Sequence, residues 1–167
     1  MTNFNTYLNF VGDRNIPNLN KDLTSFEANY NTPFQKEILI KLLGYDLYLA
    51  FEAGLIEPTV LQKWIDLRDG STYVVDGINY QNLGCKDMVA YYVYCKWLSN
   101  NYEQITGIGV INTTSDNAIN ITPENKMTIG WNKMVDLYNN VYDFLKENET
   151  DYPNLNTSTL NKLTYGF

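Results

Sequence analysis

The chain has 167 residues, 44% of them apolar and 19% charged, which is one domain's length with enough apolar surface for a core. Its formal net charge is −7, and its 12 Lys and Arg residues form no basic run, which argues against counterion-releasing attachment to nucleic acid. There is no histidine, so the commonest general base and metal ligand is missing. No run approaches 18 apolar residues and Met1-Thr-Asn-Phe-Asn lacks a signal's basic and apolar regions, so neither a membrane span nor a signal peptide is expected.

Residues 1–19 are Asn-rich and without period, and predict an extended arm. Asp22 to Tyr30 predicts a short helix with Thr24-Ser-Phe-Glu27 as its capping box. Thr32-Pro33-Phe34-Gln35 then opens a helix expected to run to Ala53 and to stop at Gly54. Its apolar residues cover nearly the whole circumference, so it is either central to a bundle or covered by another chain.

Pro58 to Asp69 reads as a third helix, with Trp64 on its inner face and Gly70 as its stop. In Thr72 to Tyr80, Asp76-Gly77 between β-formers signals a hairpin. Cys85 to Asn101 is a tyrosine-rich fourth helix. Its two cysteines stand about 15 Å apart along the axis, too far for a disulfide, and read as small buried apolar groups. Gly107 to Thr122 carries two β-like runs, and predicts a second hairpin or projecting loop in which Ile108, Val110, Ile119 and Ile121 contact a partner.

The last helix starts at Thr122-Pro123-Glu124 and is cleanly amphipathic. Trp131, Met134, Tyr138 and Leu145 are expected to be buried against the helix at residues 33–53. Residues 149–167 read as a polar tail. The scattered large apolar groups of arm and tail, Phe4, Tyr7 and Phe10 with Tyr152, Leu155, Tyr165 and Phe167, are expected to anchor neighbouring subunits. A fragment of residues 20–148 would then remain folded.

No phosphate loop, nucleophile elbow or metal-ligand spacing occurs, so no catalytic, cofactor-binding or metal residue is expected. Asp66 with Asp69, and Glu147 with Glu149, are the only candidate carboxylate pairs, and their places near helix ends suit solvated acids. The 23 asparagines read first as a base-biased genome. The expected fold is mainly α, a four- to five-helix bundle with one or two small β-hairpins and extended N- and C-terminal arms. It forms a single domain with an arm at 1–19, a core at 20–148 and a tail at 149–167.

The element order, and above all Leu43, Gly44, Leu47 and Tyr48 in the leucine-rich helix, resembles the head–tail connector (adaptor) proteins of tailed bacteriophages, in particular those of crAss-like phages. The resemblance runs from about Phe26 to Lys146. It implies a non-enzymatic virion protein of the neck that forms a ring of about 12 copies between portal and tail, assembled in the host cytoplasm. DNA would pass through without specific binding, and an acidic chain suits such a channel. The alternatives are a small monomeric protein-binding module, such as an inhibitor of a host protein, or, within the resemblance to phage proteins, another tail-completion protein. An enzyme using carboxylates ranks third.

Overall fold

A computed structural model describes residues 10–16, 19, 23–106, 123–153, 155 and 159–163. The predicted hairpin or loop at residues 107–121, with Ile108, Val110, Ile119 and Ile121, lies outside the described residues, as do Phe4, Tyr7, Tyr165 and Phe167.

The protein is mainly α, a helical bundle with one small hairpin among the described residues. Its elements are α1 (Leu23–Phe26), α2 (Thr32–Leu43), α3 (Tyr45–Ile56), α4 (Gln62–Asp69), β1 (Ser71–Val75), β2 (Ile78–Asn82), α5 (Cys85–Thr106) and α6 (Pro123–Glu147). A short 3₁₀ turn, Gly12–Arg14, lies in the N-terminal arm. Helix α5 is the bundle's axis, packed on α2 and most extensively on α6. Ile38, Leu39 and Leu42 of α2, Phe51 of α3, Leu67 of α4, Met88 and Val93 of α5, and Met134, Tyr138 and Leu145 of α6 are sealed from solvent. Among the described residues no helix is long and apolar enough to cross a membrane.

Five helix boundaries differ from the sequence expectation. The short first helix does not end before Thr32, and neither the Thr24 capping box nor a Thr32 cap forms. A π-helical turn, Glu27–Asn31, links α1 to α2, and the Thr32 amide donates to the Glu27 carbonyl five residues back. Proline has no amide to give an i→i−4 bond and its ring presses on the preceding turn. The wider π-turn immediately before Pro33 lets the helix pass through it.

The helix expected over 33–53 is two helices, broken at Gly44. There φ is 76° and ψ is 167°, a region essentially restricted to glycine. Gly54, in contrast, stops nothing. Helix α3 continues through it to Ile56, and ends because Glu57 precedes Pro58 and is driven to extended geometry, ψ 145°. Helix α4 begins at Gln62, not Pro58, after Leu61 in extended geometry, ψ 141°. Helix α5 passes the expected end at Asn101 and reaches Thr106, the Asn101 side chain donating to the Trp97 carbonyl at 2.7 Å.

The hairpin matches expectation. Val75 pairs with Ile78, leaving Asp76 and Gly77 as a two-residue loop with φ of 50° and 78°, both positive as a type I′ turn requires. Tyr73 seats the hairpin base edge-on against Phe144 of α6 at 5.3 Å.

Asparagine side chains tie irregular backbone to helices. The Asn140 amide donates to the Gln81 carbonyl and accepts from the Leu83 amide, at 2.9 and 2.8 Å. Buried Asn82 donates to the Asp66 carbonyl and accepts from the Gly84 amide, at 2.8 and 3.0 Å. A carboxamide carries both a donor and an acceptor, so one side chain completes two backbone bonds where no ladder exists.

Candidate functional site

Two surface regions stand out among the described residues. The first is the outer side of α3. Gly44 reorients the chain and Gly54 brings α3 close to Trp64, so the helix buries Leu47, Tyr48, Phe51 and Leu55 inward. This leaves Tyr45, Leu49, Ala53 and Ile56, spaced i, i+4, i+8 and i+11, as one solvent-facing apolar stripe. Tyr45, Leu49 and Ile56 are 57%, 46% and 67% exposed, which is unusual for three large apolar side chains in a row. Leu61, beyond the helix end, is exposed as well. The hairpin adds Val74, Ile78 and Tyr80, all exposed.

The second region is the face of α5 and α6 crossed by both chain ends. From the N-terminal side, Arg14 pairs with Asp87 at 2.6 Å, and its guanidinium lies over the Tyr91 ring, 4.8 Å from the centroid. Asp13 accepts the Tyr91 hydroxyl and pairs with the Lys133 ammonium. The Lys133 hydrogen bond holds the Asp13 carboxyl below its ordinary range against a smaller opposing effect of burial. Burial, then the Asp13 carboxylate, pushes the Tyr91 hydroxyl up. Beside this cluster lie a cleft of about 380 Å³ bordered by Tyr94, Lys126 and Ile129, and one of about 350 Å³ bordered by Asp136 and Leu137. Ion pairs this exposed contribute little, roughly 0–1 kcal/mol each. The arm is held chiefly by buried Phe10, edge-on to Phe26 at 5.1 Å, and by buried Ile16.

From the C-terminal side, the Trp131 indole N–H donates to the Asn161 carbonyl at 3.2 Å. Asn132 donates to the Leu163 carbonyl at 3.0 Å and accepts from the Leu163 amide at 2.9 Å, and Lys162 pairs with Asp136 at 2.6 Å.

Several expected contact residues are thereby reassigned. Phe10 and Tyr152 are buried in their own bundle, and Leu155 is half-buried against it, so these three are anchors of arm and tail and not groups offered to a neighbour. Trp131 is only half-buried. Its ring lies 6.3 Å from Tyr92 of α5 and its N–H is taken by the tail, whereas Met134, Tyr138 and Leu145 are buried as expected. The α3 stripe was detectable as an all-round apolar helix. Which side of it stays open was not, because that depends on where Gly44 breaks the helix.

The candidate acids and thiols have ordinary surroundings. Asp66 accepts from Gln62 at 2.8 Å, Asp69 pairs with neighbouring Arg68 at 2.6 Å, and Glu147 and Glu149 are exposed. Among the described residues no group of three or more His, Cys, Asp or Glu could hold a metal ion. Cys85 and Cys95 are both free and buried, and burial pushes both thiols up, Cys95 to about 12. Since the thiolate is the reactive form, neither is expected to react with a thiol reagent at pH 8 in the folded protein. In guanidinium chloride both are expected to react, and labelling of either in native buffer would place that side chain at the surface.

No curated protein and no solved structure matches the chain. Residues 39–164, from the middle of α2 through the docked end of the tail, match DUF6712, a family of unknown function, and the chain belongs to that family.

Proposed function

We propose that this protein is a structural component of a phage virion neck, which assembles in the host cytoplasm into a ring of about 12 copies between the portal and the tail. The observation that carries the reading is the apolar stripe Tyr45, Leu49, Ala53 and Ile56 on the solvent side of α3. A chain that stayed alone would leave these groups about half in water, and covering the exposed part of each large one is worth roughly 1 kcal/mol. The stripe follows directly on Leu43 and Gly44, the residues that carry the resemblance to phage connectors. A net charge of −7 is compatible with a channel that lets DNA slide, since phosphates are not held by an acidic wall. The role needs no catalytic group, cofactor or metal. The portal protein and a tail or further neck protein are the partners it implies.

Native mass spectrometry across a concentration series tests the reading, alone and with purified portal protein. Wild-type chains are expected to form a closed oligomer. The Leu49→Lys, Ile56→Lys double variant is expected to remain monomeric with a melting temperature within a few degrees of wild type, because both positions are exposed. A wild-type chain that stays monomeric in both settings would instead favour the alternative, a monomeric module whose stripe covers a host protein.

A further inference from the structure

We propose that the segment Asn161-Lys162-Leu163 and its seat on α6 form an exchangeable joint, in which the tail of one copy docks on α6 of a second copy. The inference rests on the ring reading and names one contact that would link its subunits.

The seat recognises peptide backbone. Asn132 makes two bonds to one residue, donating to the Leu163 carbonyl and accepting from the Leu163 amide, as a neighbouring strand would. One residue earlier on α6, Trp131 donates to the Asn161 carbonyl, and one turn later Asp136 takes the Lys162 ammonium. These four interactions define the direction and register of residues 161–163, beside Leu160, which is only partly buried against the core. Leu163 itself remains half exposed, so the docked tail still presents an uncovered apolar group.

The tether permits exchange. Tyr152 is buried and fixed, and eight residues, hence nine Cα–Cα steps, lie between it and Asn161; of these, Leu155 and Leu160 are only partly buried against the core, and exchange transfers or releases that packing. That length of chain spans at most about 30 Å, several times the radius of a helix with its side chains. Docking within one chain and docking between chains make the same bonds, so the choice depends on effective concentration. Subunits already held side by side raise that concentration for a neighbour's tail. Exchange of an identical element between copies is a low-cost route to assembly for this reason.

The full-length chain carrying Asn132→Cys and Leu163→Cys tests the joint, since the native thiols of Cys85 and Cys95 are buried. Light and heavy-isotope chains are mixed in equal amounts before assembly, oxidised, separated by size and digested. If tails exchange, cross-linked peptides from the oligomer fraction approach roughly half mixed-isotope, while those from the monomer fraction are of one isotope. An oligomer whose cross-links are all of one isotope overturns the exchange and leaves the ring standing. Absence of any oligomer overturns both. The pair Asp136→Cys with Lys162→Cys gives the same readout and leaves Asn132 in place, should the first pair fold poorly.

Discussion

Replacing Tyr152 by Ala is expected to remove about 3–5 kcal/mol of stability, the range for deleting a buried large aromatic. Small domains are stable by only about 5–15 kcal/mol, so this single change in the tail consumes a large part of the total. The reason is position. Tyr152 is 2% exposed, with its ring 5.5 Å from Phe144 of α6 and 6.0 Å from Trp64 of α4. Its hydroxyl donates to the Lys63 carbonyl at 2.7 Å. It closes the end of the bundle where α4, α6 and the base of the hairpin meet, beside the Tyr73–Phe144 contact. Tyr152→Phe separates the two contributions: it retains the ring packing and loses one hydrogen bond, about 1 kcal/mol. Urea denaturation at fixed pH measures both. A loss below 1 kcal/mol for the alanine variant would make the tail a separable arm. The packing also changes the expectation for a fragment of residues 20–148. That fragment lacks Phe10, Ile16 and Tyr152, three members of the buried core, and is expected to be unstable on its own.

What was legible in the sequence was local. The hairpin follows from Asp76-Gly77, the end of α4 from Gly70, and the inner face of α6 from a sustained helical period. Each depends on a few neighbouring residues whose conformational preferences point the same way. The misreadings at glycine and proline have another origin. Gly44 and Gly54 look alike in sequence, yet one adopts a φ of 76° and the other lies inside a helix with an indole against it. Pro33 does stand in the first turn of α2, but the π-turn before it joins that turn to α1, where a capped start was expected. Phe10 and Tyr152 stand in segments without period, where burial is decided only when distant helices come together. For the contact surface the sequence fell short in a different way. An all-round apolar helix announces that something covers it, and the open side became visible only once α3 was turned at Gly44 and its inner side packed. The asparagine clamps at Asn82, Asn132 and Asn140 were read as composition, because a carboxamide bridging to remote backbone leaves no spacing signal.

Gly54→Ala is expected to destabilise the protein by roughly 2–3 kcal/mol, a cost typical of overpacking, although alanine ordinarily strengthens a helix interior by about 1 kcal/mol. The reversal of sign comes from one contact. A Cβ added at Gly54 would lie 2.0 Å from Nε1 and 2.3 Å from Cδ1 of Trp64, far inside any real approach. Trp64 cannot yield cheaply. It is buried, with its ring 5.9 Å from Phe51 and 6.0 Å from Tyr152, and the Lys63 ammonium lies 4.6 Å from its centroid. Either α3 moves away from α4, carrying the Tyr45–Ile56 stripe with it, or the indole leaves and breaks the aromatic cluster that pins the tail. The double variant Gly54→Ala, Trp64→Leu discriminates, because the smaller side chain makes room for the methyl. On the Trp64→Leu background the Gly54→Ala change is expected to be neutral or stabilising, giving a coupling energy of at least about 2 kcal/mol between the two positions. If Gly54→Ala alone raises the denaturation midpoint, the close approach of α3 to Trp64 is wrong, and the orientation of the exposed stripe that depends on it falls as well.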